Sequence, residues 1–253
     1  MPGTMRITGL AILAAGLLLL VACEKESSSN EGATEAESGT ASTESGAKQA
    51  GRRIAKQFQV ESGMVEYDLS GTRSGTEVLY WDDWGERQSR CTKASISIMG
   101  VTQTSDDCVI SLPDVVYTID MKTKTAMKMN NPAKAFAEGL SDKELEEFGR
   151  RMSENMGMKL VGTDTVAGYS CDLWRTDTLQ TEACTHKGIA LRTMTNMMGM
   201  TITTTATKVD LDADVDESRF ELPADVTVKE AADLPPGVLD AVRKNMNLPE
   251  KSE

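Results

Sequence analysis

Short segments of alternating apolar and polar residues, separated by turn residues, fill most of the chain between residues 60 and 211. Residues 63–69 alternate, and residues 76–81 lead into Asp82-Asp-Trp-Gly85, where Asp and Gly suit a tight turn. Because successive side chains of a strand point to opposite faces, this alternation predicts half-buried antiparallel strands. Similar segments lie at residues 86–91, 115–120, 126–129, 159–164, 169–175, 182–186, 189–195 and 200–211. The pattern predicts a mainly β fold of roughly eight to eleven strands, typical of a sandwich or barrel.

Residues 133–158 interrupt the strand pattern and have the features of a helical insertion. Ser141 and Glu144 are spaced as a capping box, in which each side chain bonds the backbone N–H of the other. Apolar residues then recur at helical spacing, and the opposite face carries Glu–Arg pairs four residues apart. The apolar set is Leu145, Phe148, Met152 and Met156, and the pairs are Glu146–Arg150 and Glu147–Arg151. The sequence therefore predicts an α+β fold with an amphipathic helix over part of a sheet, and a short helix or loose tail at residues 233–253.

The N-terminus has the features of an export signal. Arg6 precedes an apolar run at residues 10–21, which is shorter than the roughly 20 residues of a membrane-spanning helix. Leu20-Val-Ala-Cys23 then resembles a bacterial lipobox. That resemblance implies a signal peptide at residues 1–22, cleavage before Cys23, and a lipid on Cys23 that holds the mature protein to a membrane. An ordinary signal peptide followed by a chance cysteine is the alternative.

Residues 23–50 predict a disordered tether. The 27 residues after Cys23 include six glutamates and many serines and threonines, but no aromatic or large aliphatic residue. Such a segment cannot bury enough apolar surface to fold, and as a flexible coil it spans about 30 Å. Glu24, and not aspartate, follows Cys23, which by analogy with enteric bacteria favours the outer membrane with the domain facing the periplasm. Residues 51–232 then form one β domain.

Composition excludes several classes of function. The net charge of −12 makes nucleic acid and anionic headgroups poor direct partners. His186 is the only histidine, and neither a GxSxG elbow nor a phosphate-binding glycine loop occurs. Asp212-Ala-Asp-Val-Asp216 imitates a calcium loop, but Glu217 and Pro223 stand where glycine and glutamate are required. The sequence therefore predicts a protein without catalytic activity, resident metal or cofactor.

Four cysteines remain after Cys23, an even number that indicates structural disulfides in an exported protein. Cys91, Cys108, Cys171 and Cys184 allow three connectivities. We favour Cys91–Cys108 and Cys171–Cys184, because each pair brackets a short segment that could form a hairpin. None of these spacings is CxxC, which argues against zinc or redox chemistry.

Several local patterns occur together in the order seen in one group of proteins. They are Tyr80-Trp-Asp-Asp-Trp-Gly85, Tyr117-Thr-Ile-Asp-Met-Lys-Thr-Lys124, Met129-Asn-Asn-Pro132, Gly162-Thr-Asp-Thr-Val-Ala-Gly-Tyr-Ser-Cys171 and Arg219-Phe-Glu-Leu-Pro223. Over residues 60–228 the chain resembles uncharacterised bacterial lipoproteins, of the domain-of-unknown-function type, in the LolA/LolB-like superfamily. The resemblance implies a strongly curved antiparallel sheet, an incomplete barrel, with helices over its concave side. In the carriers of this superfamily an apolar hollow takes up the acyl chains of lipoproteins, and no fixed catalytic residues exist.

Methionines are concentrated in the stretch Arg192–Asp210, which continues into a threonine ladder. On a strand, Met198, Met200 and Ile202 share one face while threonines occupy the other. Thioethers fill irregular apolar space, so these residues and the helix residues Phe148, Met152 and Met156 predict the wall of a hydrophobic-ligand site. Soft Cu(I) ligation is the alternative. It rests on the pairs Met127/Met129, Met156/Met158, Met194/Met197 and Met198/Met200.

Together these features predict an anchored, monomeric envelope lipoprotein that binds a hydrophobic ligand, either a lipid or a lipoprotein acyl chain. A methionine-based copper-binding protein is one alternative. A structural or interaction lipoprotein with a solid core is another.

Overall fold

A computed structural model of the chain describes residues 56–98, 100–137, 141–177, 180–197 and 199–231. The predicted signal peptide (1–22), tether (23–50) and tail (233–253) lie outside these residues. The described part is mostly β, with twelve strands in one sheet and two α-helices. The strands are β1 Gly63–Gly71, β2 Arg73–Asp82, β3 Arg87–Ile98, β4 Val101–Ser111, β5 Val115–Asp120, β6 Thr125–Asn130, β7 Met158–Val166, β8 Tyr169–Thr176, β9 Thr181–His186, β10 Ile189–Met197, β11 Met200–Leu211 and β12 Thr227–Glu230. The helices are α1 Pro132–Ala137 and α2 Asp142–Asn155, and short 3-10 helices occupy Asp83–Gly85 and Glu217–Phe220.

The strands follow the order β12-β6-β5-β4-β3-β2-β1-β11-β10-β9-β8-β7. Every neighbouring pair is antiparallel except β12 and β6, which are parallel. The sheet is open, because β12 and β7 form its two edges. This architecture confirms the predicted mainly β fold with an antiparallel sheet, and its twelve described strands exceed the predicted eight to eleven.

The sheet is strongly curved on the β7 side. Three strands separate β7 from β11, and four strand spacings would hold them about 19 Å apart in a flat sheet. Some of their Cα atoms instead lie within 8 Å of each other. Bulges opposite Glu66–Tyr67 and between Ala190 and Arg192 accompany this bend, as expected of an inserted residue that increases local twist.

Cross-strand neighbours in β1–β6 define two faces of the sheet. Tyr67, Leu79, Arg90, Val109 and Met127 lie on one face, because the registers of these strands are continuous. We call it the Tyr67 face. The opposite face, the Cys91 face, carries a row of paired residues: Val78, Cys91, Cys108, Ile119 and Ala126.

The sheet has two apolar clusters, and they lie on different faces of β1–β6. The larger cluster uses the Tyr67 face of β1 and β2 and continues to β7–β11; among its members are Val65, Tyr67, Leu79, Trp81, Cys171, Cys184, Ile189 and Leu191. The smaller cluster uses the Cys91 face of β3–β6: Cys108, Ile110, Ile119 and Ala126, with Leu222 and Val226 packed against them. The buried face therefore changes between β2 and β3.

The segment that precedes β1 is part of the larger cluster. The ring of Phe58 is buried and meets Trp81 edge-on, with centroids 5.2 Å apart. The backbone N–H groups of Gln57 and Phe58 both donate to the carbonyl of Trp84 at 3.0 Å. Gly85 has a positive φ of 88° and leaves the space that Phe58 fills, since a Cβ there would lie 2.8 Å from the phenyl ring. The Trp-Asp-Asp-Trp-Gly turn thus closes one end of this cluster.

The segment after β11 covers the Cys91 face. Arg87 forms a two-pronged ion pair with Glu217, and its guanidinium stacks 4.5 Å from the centre of the Phe220 ring. Arg219 stacks in the same way over Tyr80 at 4.7 Å. Phe220 is buried. The closing Arg-Phe-Glu-Leu-Pro pattern is therefore a packing element of the smaller cluster.

The helical insertion lies between β6 and β7, as predicted. The capping box is confirmed, because the Ser141 N–H donates to Glu144 Oε2 at 2.7 Å and the Glu144 N–H donates to Ser141 Oγ at 3.4 Å. Glu147 accepts hydrogen bonds from both Arg150 and Arg151. The side chain of Glu146, the other predicted acidic partner, lies outside the described residues.

The strand prediction missed β4 completely and ended β3 too early. Residues 101–107 of β4 are mostly polar and largely exposed, so the apolar alternation on which the prediction relied is absent there. The four-residue edge strand β12 was also missed, since all of its residues are exposed. Within the part of the chain that the structure describes, no helix has the length and apolar character needed to span a membrane.

Candidate functional site

Four apolar side chains form a strip on the Tyr67 face of β4–β6. Val109 lies in the register row Val109-Thr118-Met127, and Val116 pairs with Met129 in the next row of that face. Val109 is 37% exposed and Met127 is 42% exposed, whereas Val116 and Met129 are half-buried. We call this set the Val109 strip.

The Val109 strip lies on strands whose opposite face is already buried. Ile110, Ile119 and Ala126 on the Cys91 face belong to the smaller apolar cluster. Strands with apolar residues on both faces are typical of sheets that are covered on both sides. The partly exposed strip therefore presents an apolar surface that a ligand or another part of the protein can cover.

A charged cluster lies beside the strip on the same face. Arg90 is the cross-strand neighbour of Val109, and its Nη1 donates to Glu77 Oε1. Thr92 Oγ1 donates to Glu77 Oε2 at 2.9 Å. Glu77 is buried, but the Arg90 side chain is 42% exposed. The Arg90 guanidinium carbon also lies 6.0 Å from the centre of the Tyr67 ring.

The electrostatics of this cluster follow from burial and pairing. Burial raises the pKa of Tyr67 above its usual value, and its hydroxyl donates to the Ala190 carbonyl at 3.0 Å. Burial acts to lower the pKa of Arg90, but the carboxylate of Glu77 outweighs it and raises that pKa. The guanidinium is therefore a permanent cation at one end of an apolar surface.

The predicted methionine wall is only partly within the described structure. Met200 and Ile202 are half-buried at the start of β11, and Met156 is half-buried just after α2. Met198 and the side chains of Phe148 and Met152 lie outside the described residues. Met200 and Ile202 lie near the β10–β11 turn, several strands away from the Val109 strip, whereas Met156 lies between α2 and β7.

The sheet face that carries Ile202 is less apolar than the alternation of residues in β11 alone predicts. Thr201 and Thr203 lie on the opposite face, in agreement with the alternation of β11. However, Ile202 pairs with Thr195, which pairs with Thr181, so hydroxyls stand beside it on the same face. The Oγ1 atoms of Thr181 and Thr195 are 3.3 Å apart. This wall is mixed because neighbouring strands contribute threonines that the alternation of one strand does not show.

The methionine pairs considered as copper ligands lie on different parts of the sheet. Met127 and Met129 are on β6, next to the edge strand β12, while Met158 begins β7 at the opposite edge of the sheet. Met194 is on β10 and is 40% exposed. In the described residues no group of three histidine, cysteine or acidic side chains is arranged to hold a metal ion.

The two disulfides join the cysteines in the favoured pairing. Cys91 and Cys108 are direct cross-strand neighbours on β3 and β4, with Cα atoms 4.1 Å apart. Cys171 on β8 bonds Cys184 on β9, with Cα atoms 5.3 Å apart. The single histidine, His186, contacts the Ser170 carbonyl through Nδ1 at 2.8 Å and packs beside Tyr169.

Sequence reasoning missed Arg90 and the Val109 strip. One signal for the charged cluster was present, because Glu77, Leu79 and Trp81 alternate onto one face of β2 and an acid on a buried face requires a partner. The strip had a weaker signal in Val115-Val-Tyr117, whose consecutive apolar residues predict a strand covered on both faces.

The fold and these surfaces define a mainly β protein whose open, curved sheet presents a partly exposed apolar face. Residues 99–198 match the family model described as Domain of unknown function (DUF4412), which extends from β4 to the end of β10. No curated protein sequence gives a significant match.

Among the solved structures that are similar to this chain are two of low sequence identity. An uncharacterized conserved protein from Thermus thermophilus is 8% identical, with a TM-score of 0.45 over 70% of this chain and 97% of that chain. LprF from Mycobacterium bovis is 9% identical, with a TM-score of 0.33 over 69% of this chain and 93% of that chain. Neither similarity is close enough to indicate a function.

Proposed function

We propose that this chain is an envelope lipoprotein that binds a hydrophobic ligand between its curved sheet and the segment that contains α1 and α2. The ligand is a lipid or the acyl chain of a lipoprotein, and the protein performs no catalysis. Cys23 carries the membrane anchor, the domain is a monomer on the outer membrane facing the periplasm, and the architecture is of the LolA/LolB-like kind.

The observation that carries the proposal is the path of the chain between β6 and β7. Nine strands separate these two strands in the sheet, and ten spacings correspond to about 48 Å along its surface. The six residues of α1 and the fourteen of α2 supply about 30 Å of helix for this crossing. The shortest route between the ends of a curved sheet crosses its concave side. The crossing therefore supports a segment that passes over the concave side of the sheet, and within the described residues its main contact with the sheet is that of α2 with β7.

The Val109 strip supplies apolar surface for such a ligand. Burial of apolar area contributes about 25 cal/mol per Å², so an acyl chain gains affinity from each methylene that it places against these side chains. Val116 and Met129 extend the strip by a second row on the same face. Methionine adapts to chains of different shape because its thioether side chain is unbranched.

The test compares two substitutions at equal exposure on opposite faces. Met127 and Val228 are each 42% exposed, and they lie on adjacent strands. Val228 pairs with Ala126 and so belongs to the Cys91 face. Met127→Glu and Val228→Glu are introduced separately into a Cys23→Ser chain whose residues 1–22 are replaced by a cleavable export signal that needs no lipidated cysteine, and the mature protein is purified without detergent.

Native mass spectrometry and lipid extraction then measure copurified lipid. We expect lipid in the parent chain and in Val228→Glu, and a loss of at least five-fold in Met127→Glu. Parent protein that carries no lipid and takes up none from vesicles would contradict the proposed function. Equal lipid in both variants would show that the ligand does not occupy the Val109 strip.

A further inference from the structure

Arg90 stands at the inner end of the Val109 strip, where the apolar surface meets the buried core. Its neighbours in the register row are Leu79 on one side and Val109 on the other. Side chains of direct cross-strand neighbours have Cβ atoms about 4.5–5.5 Å apart. The Arg90 stem is therefore in contact range of the first residue of the strip.

The guanidinium of Arg90 is held in place by Glu77, but only part of its hydrogen-bonding capacity is used. In the described part of the chain it hydrogen-bonds the protein through Nη1 alone, to Glu77. Glu77 is itself fixed by Thr92. A guanidinium has five N–H donors in a rigid plane, and its free edge can bind a carboxylate or phosphate through two parallel hydrogen bonds. The half-exposed side chain leaves that edge accessible.

We propose that the hydrophobic ligand is an amphiphile with an anionic head, and that Arg90 binds this head while the Val109 strip holds the chain. The head carries a carboxylate or a phosphate, which the Arg90 cation attracts at short range although the net charge of −12 makes an anionic membrane surface a poor partner. This assignment rests on the proposed function, because it identifies the class of ligand for the same surface.

The dimensions of the surface agree with an amphiphile. The Arg90 guanidinium extends toward β1 and β2, where it contacts Glu77 and approaches the Tyr67 ring. From β2 to β6 there are four strand spacings, or about 19 Å. This distance accommodates a long acyl chain that runs across β4, β5 and β6. Thr118, between Val109 and Met127, is the polar interruption in that row.

Glu77 explains how a cation is kept on this apolar surface without a ligand. An unpaired charge that is partly removed from water is costly, and the carboxylate offsets this cost. The Glu77 side chain is largely buried, so a bound anion meets the exposed edge of the guanidinium and not the carboxylate. An arginine with one fixed partner thus has a preset orientation for a second anion.

The experiment measures affinity for probes that share one chain length and differ in the head. Palmitate has a carboxylate, 1-palmitoylglycerol 3-phosphate has a phosphate, and hexadecanol has no charge. Each probe displaces a fluorescent apolar dye from the Cys23→Ser chain. The variants are Arg90→Gln and the matched control Arg175→Gln, whose arginine is also half-exposed on a strand and paired with a glutamate, Glu182.

We expect the parent chain and Arg175→Gln to bind at least one anionic probe ten-fold or more tightly than hexadecanol. The anionic probe that shows this preference identifies the head as carboxylate or phosphate. Arg90→Gln is expected to bind all three probes within about two-fold of hexadecanol, since the charge-assisted hydrogen bonds are lost. The double variant Glu77→Gln, Arg90→Gln leaves no unpaired buried carboxylate and should show the same loss if the single variant does not fold.

Equal binding of the charged and uncharged probes by the parent chain would overturn the assignment while leaving the proposed function intact. So would an anion preference that survives in Arg90→Gln. If no probe and no extracted lipid binds the parent chain, the proposed function fails together with the assignment.

Discussion

The segment before β1 should contribute as much to stability as a core strand, and Phe58 tests this. This residue is 4% exposed, and its ring meets Trp81 at an interplanar angle of 70°. Removal of a buried phenyl side chain costs about 3–5 kcal/mol, of which the aromatic pair accounts for about 0.5–1.5 kcal/mol. We expect Phe58→Ala to lower the free energy of unfolding by that total.

Urea unfolding followed by tryptophan fluorescence measures the effect in the Cys23→Ser chain. Leu160→Ala is the control, because Leu160 is 56% exposed and its truncation should change stability by no more than about 0.5 kcal/mol. A loss below about 1 kcal/mol in Phe58→Ala would refute the reasoning. It would mean that the core ends at β1 and that the preceding segment is only loosely attached.

Gly85→Ala extends the test to the turn that holds Phe58. A Cβ at residue 85 would lie 2.8 Å from Cδ2 of Phe58 and would require an unfavourable positive φ. Gly85→Ala should therefore destabilise the parent chain by more than it destabilises Phe58→Ala, in which the conflict with the ring is absent and only the backbone cost and the 3.1 Å approach to Gln57 Cβ remain. Equal effects in the two backgrounds would show that the ring does not fill this space.

Two further predictions concern the disulfides and the helix. One variant replaces Cys91 and Cys108 by alanines, and the other replaces Cys171 and Cys184. Each should lower the free energy of unfolding, measured in urea, by about 3 kcal/mol, because the closed loops span 17 and 13 residues. A change below about 1 kcal/mol would contradict the loop-closure reasoning. Hydrogen bonds from Arg150 and Arg151 lower the pKa of Glu147 to about 2 from 4.5. A carboxyl whose pKa is lower in the folded chain stabilises the folded state at pH values above its pKa in the unfolded chain. This stabilisation is lost as the pH falls through its pKa in the folded chain. The urea concentration at the midpoint of unfolding should therefore fall more steeply between pH 4.5 and 2 in the parent chain than in Glu147→Gln. Midpoints that fall in parallel with pH in the two chains would contradict this.

Local chemistry was predicted well where it is decided within a few residues. The capping box of Ser141 and Glu144 forms as expected, because its partners are three residues apart in a helix. The disulfide between Cys91 and Cys108 follows from the proximity of neighbouring strands. The capping groups are three residues apart and the two cysteines lie 17 residues apart on adjacent strands of one hairpin, so little else in the fold can alter either outcome.

The position of the candidate site was not predictable in the same way. Val109 and Met127 are neighbours in one row only because β5 lies between their strands, and β4 was not recognised from its polar first half. The change of buried face between β2 and β3 also depends on strand pairing. A single strand shows which side chains share a face, but not which face is covered. The predicted ligand wall was therefore placed at the methionines near residue 198, which are concentrated in the sequence, and not at the Val109 strip, which forms only through strand pairing.

The backbone hydrogen bonds of residues 57–59 determine where a pulling force on the preceding chain is transmitted to the sheet. Gln57 and Phe58 bond the turn after β2, and the Gln59 N–H donates to the Lys187 carbonyl in the turn after β9 at 3.1 Å. In the proposed anchored protein, any pull through the lipid reaches the sheet at these bonds, which join two turns on separate sides of β1. The load is therefore shared between two parts of the sheet and does not peel β1 from one end. In the proposed anchored protein, such a pull would thus reach the sheet at the turns after β2 and β9, away from the Val109 strip on β4–β6.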